Sequence, residues 1–467
     1  MASLSRDEIL VRLHEGARTI EQMAPFMEEL KVKAIELRTI SNVENQGFFR
    51  PEDEMRTRQI HASYWQTRAA FFDLIESVRL SFDKRTDLAF PAFLIAYAAA
   101  LLMIDAARFL RDNFDSIPVI VTKLNHADPA FGIPKQTYNT VQKSLTDPGN
   151  AIQLFFANQF WERHSGGLEK FCEIEKKYRP CYDTICALEN KIKVRARDYA
   201  KARVKLRAKE AFSDLQDLAV DHIIYGLQEF LSLTASSIST SPRHVPALPK
   251  DIQDAFNEIL QPGDILVTRK NHALTNYFLP GFWPHALLYV GTPDQLNGLQ
   301  KNTQEILADN WDCFFELGQR STGRVLESLK DGVRLRTTSS PFASDALAVI
   351  RPQLNESGIA EALKRGIEHE GKPYDFDFDF TRSNRLVCTE VIYRSYDGIH
   401  NIEFPLSKRA GRLCLSAEDL LQMAVDQNHF KTVAVYLPDQ DEIARDDLAV
   451  NRLRETMTEN QVAASNT

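Results

Sequence analysis

The sequence of 467 residues predicts an α+β chain, an all-α helical bundle followed by a domain in which a sheet packs with helices. Three observations carry this. Residues from about 5 to 238 place apolar side chains at helical spacing and carry almost no strand signal. The stretch 233–249 is rich in serine and threonine and holds three prolines, the composition of a domain boundary. Beyond it, short apolar runs bounded by Gly, Pro and Asp alternate with short helical patterns. The expected layout is a bundle over 1–238, a linker over 239–250, the sheet-and-helix domain over 251–438, and a polar tail over 439–467 that is helical at best and frays.

In the first half the helical segments fall at roughly 5–42, 52–84, 91–113, 135–145, 149–165, 168–210 and 211–238, and read as an antiparallel bundle. Ser5 and Glu8 form a capping box that starts the first helix. The N-terminus lacks the charged-then-apolar layout of a signal segment, so a cytoplasmic protein is expected. The most apolar run, 88–104, is a little short of the ~20 residues that span a bilayer. With Pro91 in its first turn and Asp105, Arg108 and Arg111 close behind, it reads as a buried central helix. The sharper alternative is an element that inserts into a membrane or a partner.

Between Lys191 and Lys209 lie nine basic residues and one acid, Asp198. Residues two apart on a helix point about 200° apart, so these charges wrap around the helix, and a solvated, protruding helix is expected. With only Tyr199 interleaved and a net charge of −8, nucleic acid is not an expected partner. A membrane surface or a protein partner for the helical half stays open. The six cysteines are scattered and do not form a disulfide framework. Cys172, Cys181 and Cys186 lack C-x-x-C spacing, so no metal is expected.

In the second half a helix over 251–260 precedes the Pro262-Gly263 turn, Asp264 and a strand over 265–268. A second strand opens at His285, after Trp283 and Pro284, and ends at Gly291. Strands over 324–328 and 332–336 are joined by the Asp331-Gly332 turn. A strand over 346–351 and a helix over 357–370 follow, the helix ended by Gly371. Ser416 and Asp419 form a capping pattern before another helix, and a last strand covers 432–437.

The stretch around Cys388 carries the chemistry. Val387, Val391, Ile392 and Ser395 or Tyr396 recur at helical spacing, so the cysteine stands near a helix N-terminus. Unpaired backbone N–H groups and the positive end of the helix dipole favour a thiolate there. The N–H of Cys388, with a second donor, would form an oxyanion hole. A small buried core cysteine is the bland reading. A thiolate at neutral pH needs an imidazolium beside it, and the imidazole needs a third group to hold its orientation. Neither a metal nor an organic cofactor is required.

The order of these pieces is informative: Gly263-Asp264-Ile-Leu, a His opening an apolar strand that ends Tyr-Val-Gly, a strand with Glu327 followed by Gly332-Val, then Gly371-Lys-Pro-Tyr374-Asp375 and Cys388-Thr389-Glu390. Over residues 250–437 it resembles the circularly permuted papain-like cysteine hydrolases of the NlpC superfamily, the YaeF/YiiX group, in which the His strand precedes the Cys helix. The resemblance implies a mainly antiparallel sheet with packed helices. It implies Cys388 as nucleophile, His285 as general base and then acid, and Glu327 as the residue that orients the imidazole. Tyr374, Thr389, Asp264 and Trp283 are carried along as substrate-binding or supporting residues. Two positions depart from the pattern: Pro284 stands where a small polar residue is common, and Cys-Thr-Glu replaces Cys-Ser-Glu. Neither removes a reacting group.

For the third residue, Glu368, Glu370 and Asp375 are alternatives, the first two reading as helix-surface charges. Glu390 in the first turn favours the dipole. His272 reads as loop, and Cys313 has no comparable setting. The segment from Asp375 to Asp379 alternates acid and aromatic; it reads as a half-exposed strand over the site, with a cation site as the alternative. Three functions follow: an amide-cleaving cysteine hydrolase working through a thioester, a lipid acyl hydrolase or acyltransferase at a membrane surface, or a non-enzymatic interaction protein on a hydrolase-like scaffold. The substrate expected is a small-molecule, peptide or lipid-like acyl compound.

Overall fold

The computed structural model describes residues 6–81, 88–192, 223–224, 227, 246–270, 281–299, 303–377, 380, 382–409 and 412–465. The chain divides into two units, Met1–Ser239 and Thr240–Thr467. Ser5 of the expected capping box, the basic residues from Lys193 to Lys209, His272 and Asp379 lie outside the described residues.

The first unit is built from α1 (Arg6–Ser41), α2 (Val43–Gln46), α3 (Pro51–Ser81), α4 (Ala89–Phe114), α5 (Pro118–Leu124), α6 (Thr137–Thr146), α7 (Pro148–Ile174) and α8 (Arg179–Ile192). Helix α4 is its centre and packs against α1, α3 and α8. Every residue from Pro91 to Ile104 is buried. By length and composition α4 could cross a membrane, yet 83% of its most apolar window is covered within the unit. Apolar side chains all around a helix are what burial on every face requires. Aromatic rings lock α4 to α7, with Phe93 and Phe160 centred 4.5 Å apart. The Tyr97 hydroxyl donates to Asn158, so the polar end of a fully buried ring is satisfied.

The expected break between 165 and 168 is not there. Helix α7 runs through Gly166 and Gly167 to Ile174. Glycine costs a helix roughly 1 kcal/mol relative to alanine, and burial of Trp161, Leu168 and Cys172 along the same helix outweighs it. The break comes instead at Glu175–Tyr178, ahead of Pro180 in the first turn of α8.

In the second unit, α9 (Lys250–Ile259) leads into β1 (Ile265–Arg269) and β2 (His285–Gly291). Three short helices not read from the sequence follow: α10 (Pro293–Asn297), α11 (Thr303–Leu307) and α12 (Trp311–Glu316). The chain continues with β3 (Arg324–Leu329), β4 (Gly332–Thr337), α13 (Ser339–Phe342), β5 (Ala346–Pro352), α14 (Glu356–Ile367) and α15 (Cys388–Tyr396). It ends with the hairpin β6 (Ser407–Arg409) and β7 (Arg412–Cys414), then α16 (Ala417–Val425), β8 (Phe430–Tyr436), β9 (Ala444–Arg445) and α17 (Asp446–Ser465).

Seven strands form one sheet in the order β4-β3-β2-β1-β5-β8-β9. Each neighbouring pair is antiparallel. The architecture is α+β, helices first and an antiparallel sheet domain second. Alternation along the strands divides the core: Ile265, Val267, Ala286 and Leu288 serve one face, and Leu266, Leu287 and Tyr289 the other. Helix α9 closes the second face through Ile252 and Phe256. On the first face α15 packs on α14, β2 and β3. At Gly366 a Cβ would come within 2.7 Å of Ser395 Oγ and 2.8 Å of a Leu288 methyl, so glycine sets the approach of α14 to α15.

The residues after Asp439, expected as a fraying polar tail, instead form β9 on the sheet edge and α17, which packs on β8. Ala449, Leu453 and Thr456 are buried. Their spacing is helical, but it is diluted by Asp446, Asp447, Arg452 and Glu455 on the outer face, so the segment reads as polar until its partner surface is seen.

Candidate active site

Cys388 is the first residue of α15, behind Val387 in an extended conformation. The approach is fixed from both sides: Leu386 N–H donates to Pro373 O at 3.0 Å and Ser328 Oγ donates to Leu386 O at 2.6 Å. The far end of the helix is tied down where the Tyr396 hydroxyl donates to Gly263 O. Gly263 sits at φ 89°, and a Cβ there would meet Ile359 at 2.9 Å.

The Cys388 side chain is 3% exposed. Burial alone would raise its pKa, but the charge of His285, a hydrogen bond to that ring, and the backbone N–H groups of Ala286 and Thr389 together lower it. The cysteines of the helical unit behave oppositely: burial pushes Cys172 up to about 11 and also raises Cys181 and Cys186.

His285 begins β2, opposite Thr268 of β1, and its side chain keeps 20% exposure. Its Nε2 lies 3.0 Å from Oε2 of Glu327, and the ring also interacts with the thiol of Cys388. Burial works against charge on the ring, but the bonds and charges of Cys388 and Glu327 outweigh it and carry the pKa up to about 9. Glu327 lies mid-strand in β3, 2% exposed. Burial would raise its pKa; the hydrogen bond from His285, the Arg336 cation and the Ser340 hydroxyl bring it down to about 2. Three side chains from β2, β3 and the start of α15 thus form one continuous set. Such a set can transfer the thiol proton to the imidazole and stabilise the resulting ion pair, the requirement of a sulfur nucleophile.

The supporting residues divide. Thr389 is buried and gives its N–H to the thiol. Tyr374 is joined to Leu386 by a bridge of parallel backbone, packs against Phe376 with the ring centroids 4.8 Å apart and the planes tilted by 60°, and lies near enough to Cys388 to feel its charge. Burial, Cys388 and Asp375 together keep its hydroxyl protonated.

Asp264 and Trp283 are not part of the set. Asp264 is fully buried at the opposite end of β1 from Thr268. There it accepts from Arg351 Nε and Nη2 at 2.7 and 2.8 Å and from Gln261 N–H at 2.8 Å. Its carboxylate fastens the entry to β1 onto β5. Trp283, two residues before His285, turns its indole into the core and donates from Nε1 to Thr456 Oγ1 at 3.0 Å. Both positions serve the frame on which the site stands.

The remaining acids have other partners. Glu370 accepts from Leu335 N–H at 2.6 Å and latches α14 to β4, and Glu368 is exposed. Asp375 is buried beside Tyr374 and accepts from Asp377 N–H at 3.0 Å. Asp377 faces Arg382 at 3.3 Å and Arg412 at 3.8 Å, so this carboxylate of the acid–aromatic segment meets arginine. Glu390 is fully buried against Arg394, with Nε at 2.9 Å; burial pushes its pKa up to about 7. Cys313 is exposed on α12. Sequence reasoning missed Arg336 and Ser340. The register of the β3–β4 hairpin, with Glu327 opposite Arg334 and Val325 opposite Arg336, was a usable signal for the arginine. No sequence signal marks the serine.

Residues 259–465 match the model of one family, described as permuted papain-like amidase enzyme, YaeF/YiiX, C92 family. This is the family that the order of motifs resembled, and its match extends through α17. No curated protein and no solved structure matches the chain.

Proposed function

Taking the match of residues 259–465 to a permuted papain-like amidase family as premise, we propose that this protein is a cysteine hydrolase. It cleaves an amide bond through a thioester intermediate. The observation that carries the reading is the continuous contact from Cys388 to His285 to Glu327.

In the acylation step the Cys388 thiolate attacks the carbonyl carbon, and the C=O electron pair moves onto oxygen. The N–H of Cys388, at the N-terminus of α15, is one donor to that oxyanion. Collapse breaks the C–N bond while the His285 imidazolium gives its proton to the departing nitrogen. Glu327 holds the ring in register throughout and balances its positive charge. Neutral His285 then takes a proton from water, whose oxygen attacks the thioester. The C–S bond breaks, an acid leaves, and the thiolate–imidazolium pair is restored.

The rival acting on a lipid acyl group at a membrane surface drew on the apolar helix from Leu88 and on the basic helix from Lys191, which from residue 193 lies outside the described residues. With residues 91–104 buried inside the helical unit, the amide reading has the stronger support.

The test is capture of the acyl-enzyme. The full chain is mixed with a panel of acyl p-nitroanilides and p-nitrophenyl esters and quenched in acid for intact-mass analysis. The expected result is one added acyl mass, mapped to Cys388, released by hydroxylamine and absent from Cys388→Ala. Acylation spread over several residues, or persisting in Cys388→Ala, contradicts the proposal.

A further inference from the structure

The catalytic carboxylate has a supporting shell of its own. Glu327 receives His285 on Oε2 at 3.0 Å. Its other oxygen, Oε1, accepts from the Ser340 hydroxyl and faces Arg336 Nε at 3.5 Å. Arg336 is in turn paired with Asp331, the second residue of the β3–β4 turn. Arg334, opposite Glu327 in the register, pairs with Glu370. The charged groups around Glu327 are therefore His285 from β2, Arg334 and Arg336 from β4, and Asp331 from the turn; Ser340 on α13 is the neutral donor.

A buried carboxylate has roughly four lone-pair positions to satisfy and two torsions to fix. One bond to an imidazole leaves it able to rotate. Donors on its second oxygen, from two separate elements, remove that freedom. They also favour the ionised form over the buried neutral acid. Arg336 is itself restrained by Asp331, so its position does not depend on Glu327 alone.

We infer that Ser340 and Arg336 are positioning residues, which hold Glu327 so that its Oε2 keeps the His285 ring aimed at Cys388. The inference rests on the reading of Cys388 as nucleophile. Neither residue touches the thiol. Each acts through Glu327, and loss of either loosens the carboxylate, weakens its grip on the imidazolium and so reduces the thiolate at Cys388.

The test is the rate of iodoacetamide alkylation of Cys388 in the full chain across pH 5–9, read by peptide mass spectrometry. Wild type is compared with Ser340→Ala, Ser340→Thr and Arg336→Lys, and melting temperature is recorded for each. Ser340→Ala is expected to alkylate roughly 3–10-fold more slowly near pH 6, with its half-rate point moved to higher pH. Ser340→Thr, which keeps a hydroxyl, restores the wild-type curve. Arg336→Lys keeps a cation beside Asp331, loses the guanidinium Nε and shifts the curve in the same direction as Ser340→Ala. Unchanged pH profiles in Ser340→Ala and Arg336→Lys overturn the inference. So does a Ser340→Thr as slow as Ser340→Ala, which would make the position one of packing alone. A wild-type Cys388 with no reactivity below pH 8 would instead sink the nucleophile reading on which the inference rests.

Discussion

His285 presents Nε2 to Glu327 at 3.0 Å and also interacts with Cys388, so one imidazole joins a buried carboxylate to a buried thiol. The orientation matters more than the distance. A ring held at Nε2 by an anion is held in the tautomer and rotation that let it take the thiol proton.

Glu327→Gln tests the electrostatic half of that statement. Cys388 first and the Glu327 carboxylate second outweigh burial and raise the His285 pKa to about 9, so the ion pair persists until pH rises through that value. An amide keeps the shape and removes the charge. The alkaline limb of the activity profile then moves down from about 9 toward the ordinary imidazole range, and kcat/KM falls roughly 10²-fold or more. An alkaline limb unchanged in Glu327→Gln would contradict the assignment.

The same pair leaves a mark on stability. Glu327 is held near 2 against an ordinary value of 4.5, a depressed carboxylate. Its contribution is present above pH 4.5 and is lost as pH falls through the range down to about 2. Urea unfolding at pH 6 and pH 3.5 should therefore show a smaller acid loss in Glu327→Gln than in wild type. Equal losses would mean that Glu327 is not held as a folded-state anion.

Asp264 separates framework from chemistry. Asp264→Ala leaves Arg351 without its carboxylate and opens the attachment of β1 to β5, at a cost of about 3–5 kcal/mol, the usual figure for breaking a buried pair. Activity per folded molecule is expected to change little. A large fall in kcat with unaltered unfolding would return Asp264 to the site.

Much of the second unit is legible in the sequence because its strands are short, apolar and bounded by turns, and because both faces of the sheet are covered. Strands expected over 265–268, 324–328 and 346–351 follow from that pattern directly and are found as Ile265–Arg269, Arg324–Leu329 and Ala346–Pro352. The proximity of Cys388 and His285, 103 positions apart in the chain, came only from the order of several weak motifs. Three features were hidden for physical reasons. Helix α7 continues across Gly166-Gly167 because packing overrides propensity. Asp264 looks like a site acid until Arg351 is brought to it by a neighbouring strand. Ser340 has no local signature, since its role depends on a carboxylate supplied by another element.

Helix α17 shows the same limit and is easily tested. Leu453 is fully buried against the sheet domain, and Leu453→Ala is expected to cost about 2–5 kcal/mol in urea unfolding. A change within ~0.5 kcal/mol would restore the frayed tail that the sequence suggested.

The most direct measurement is a mass-spectrometric map of iodoacetamide labelling at all six cysteines between pH 5 and 9, in wild type and in His285→Ala. The account predicts that Cys388 labels first and stays reactive well below the ordinary thiol pKa of about 8.5. It also predicts that this advantage disappears in the variant. Labelling of Cys388 no faster than its neighbours, or indifferent to the loss of His285, would contradict it.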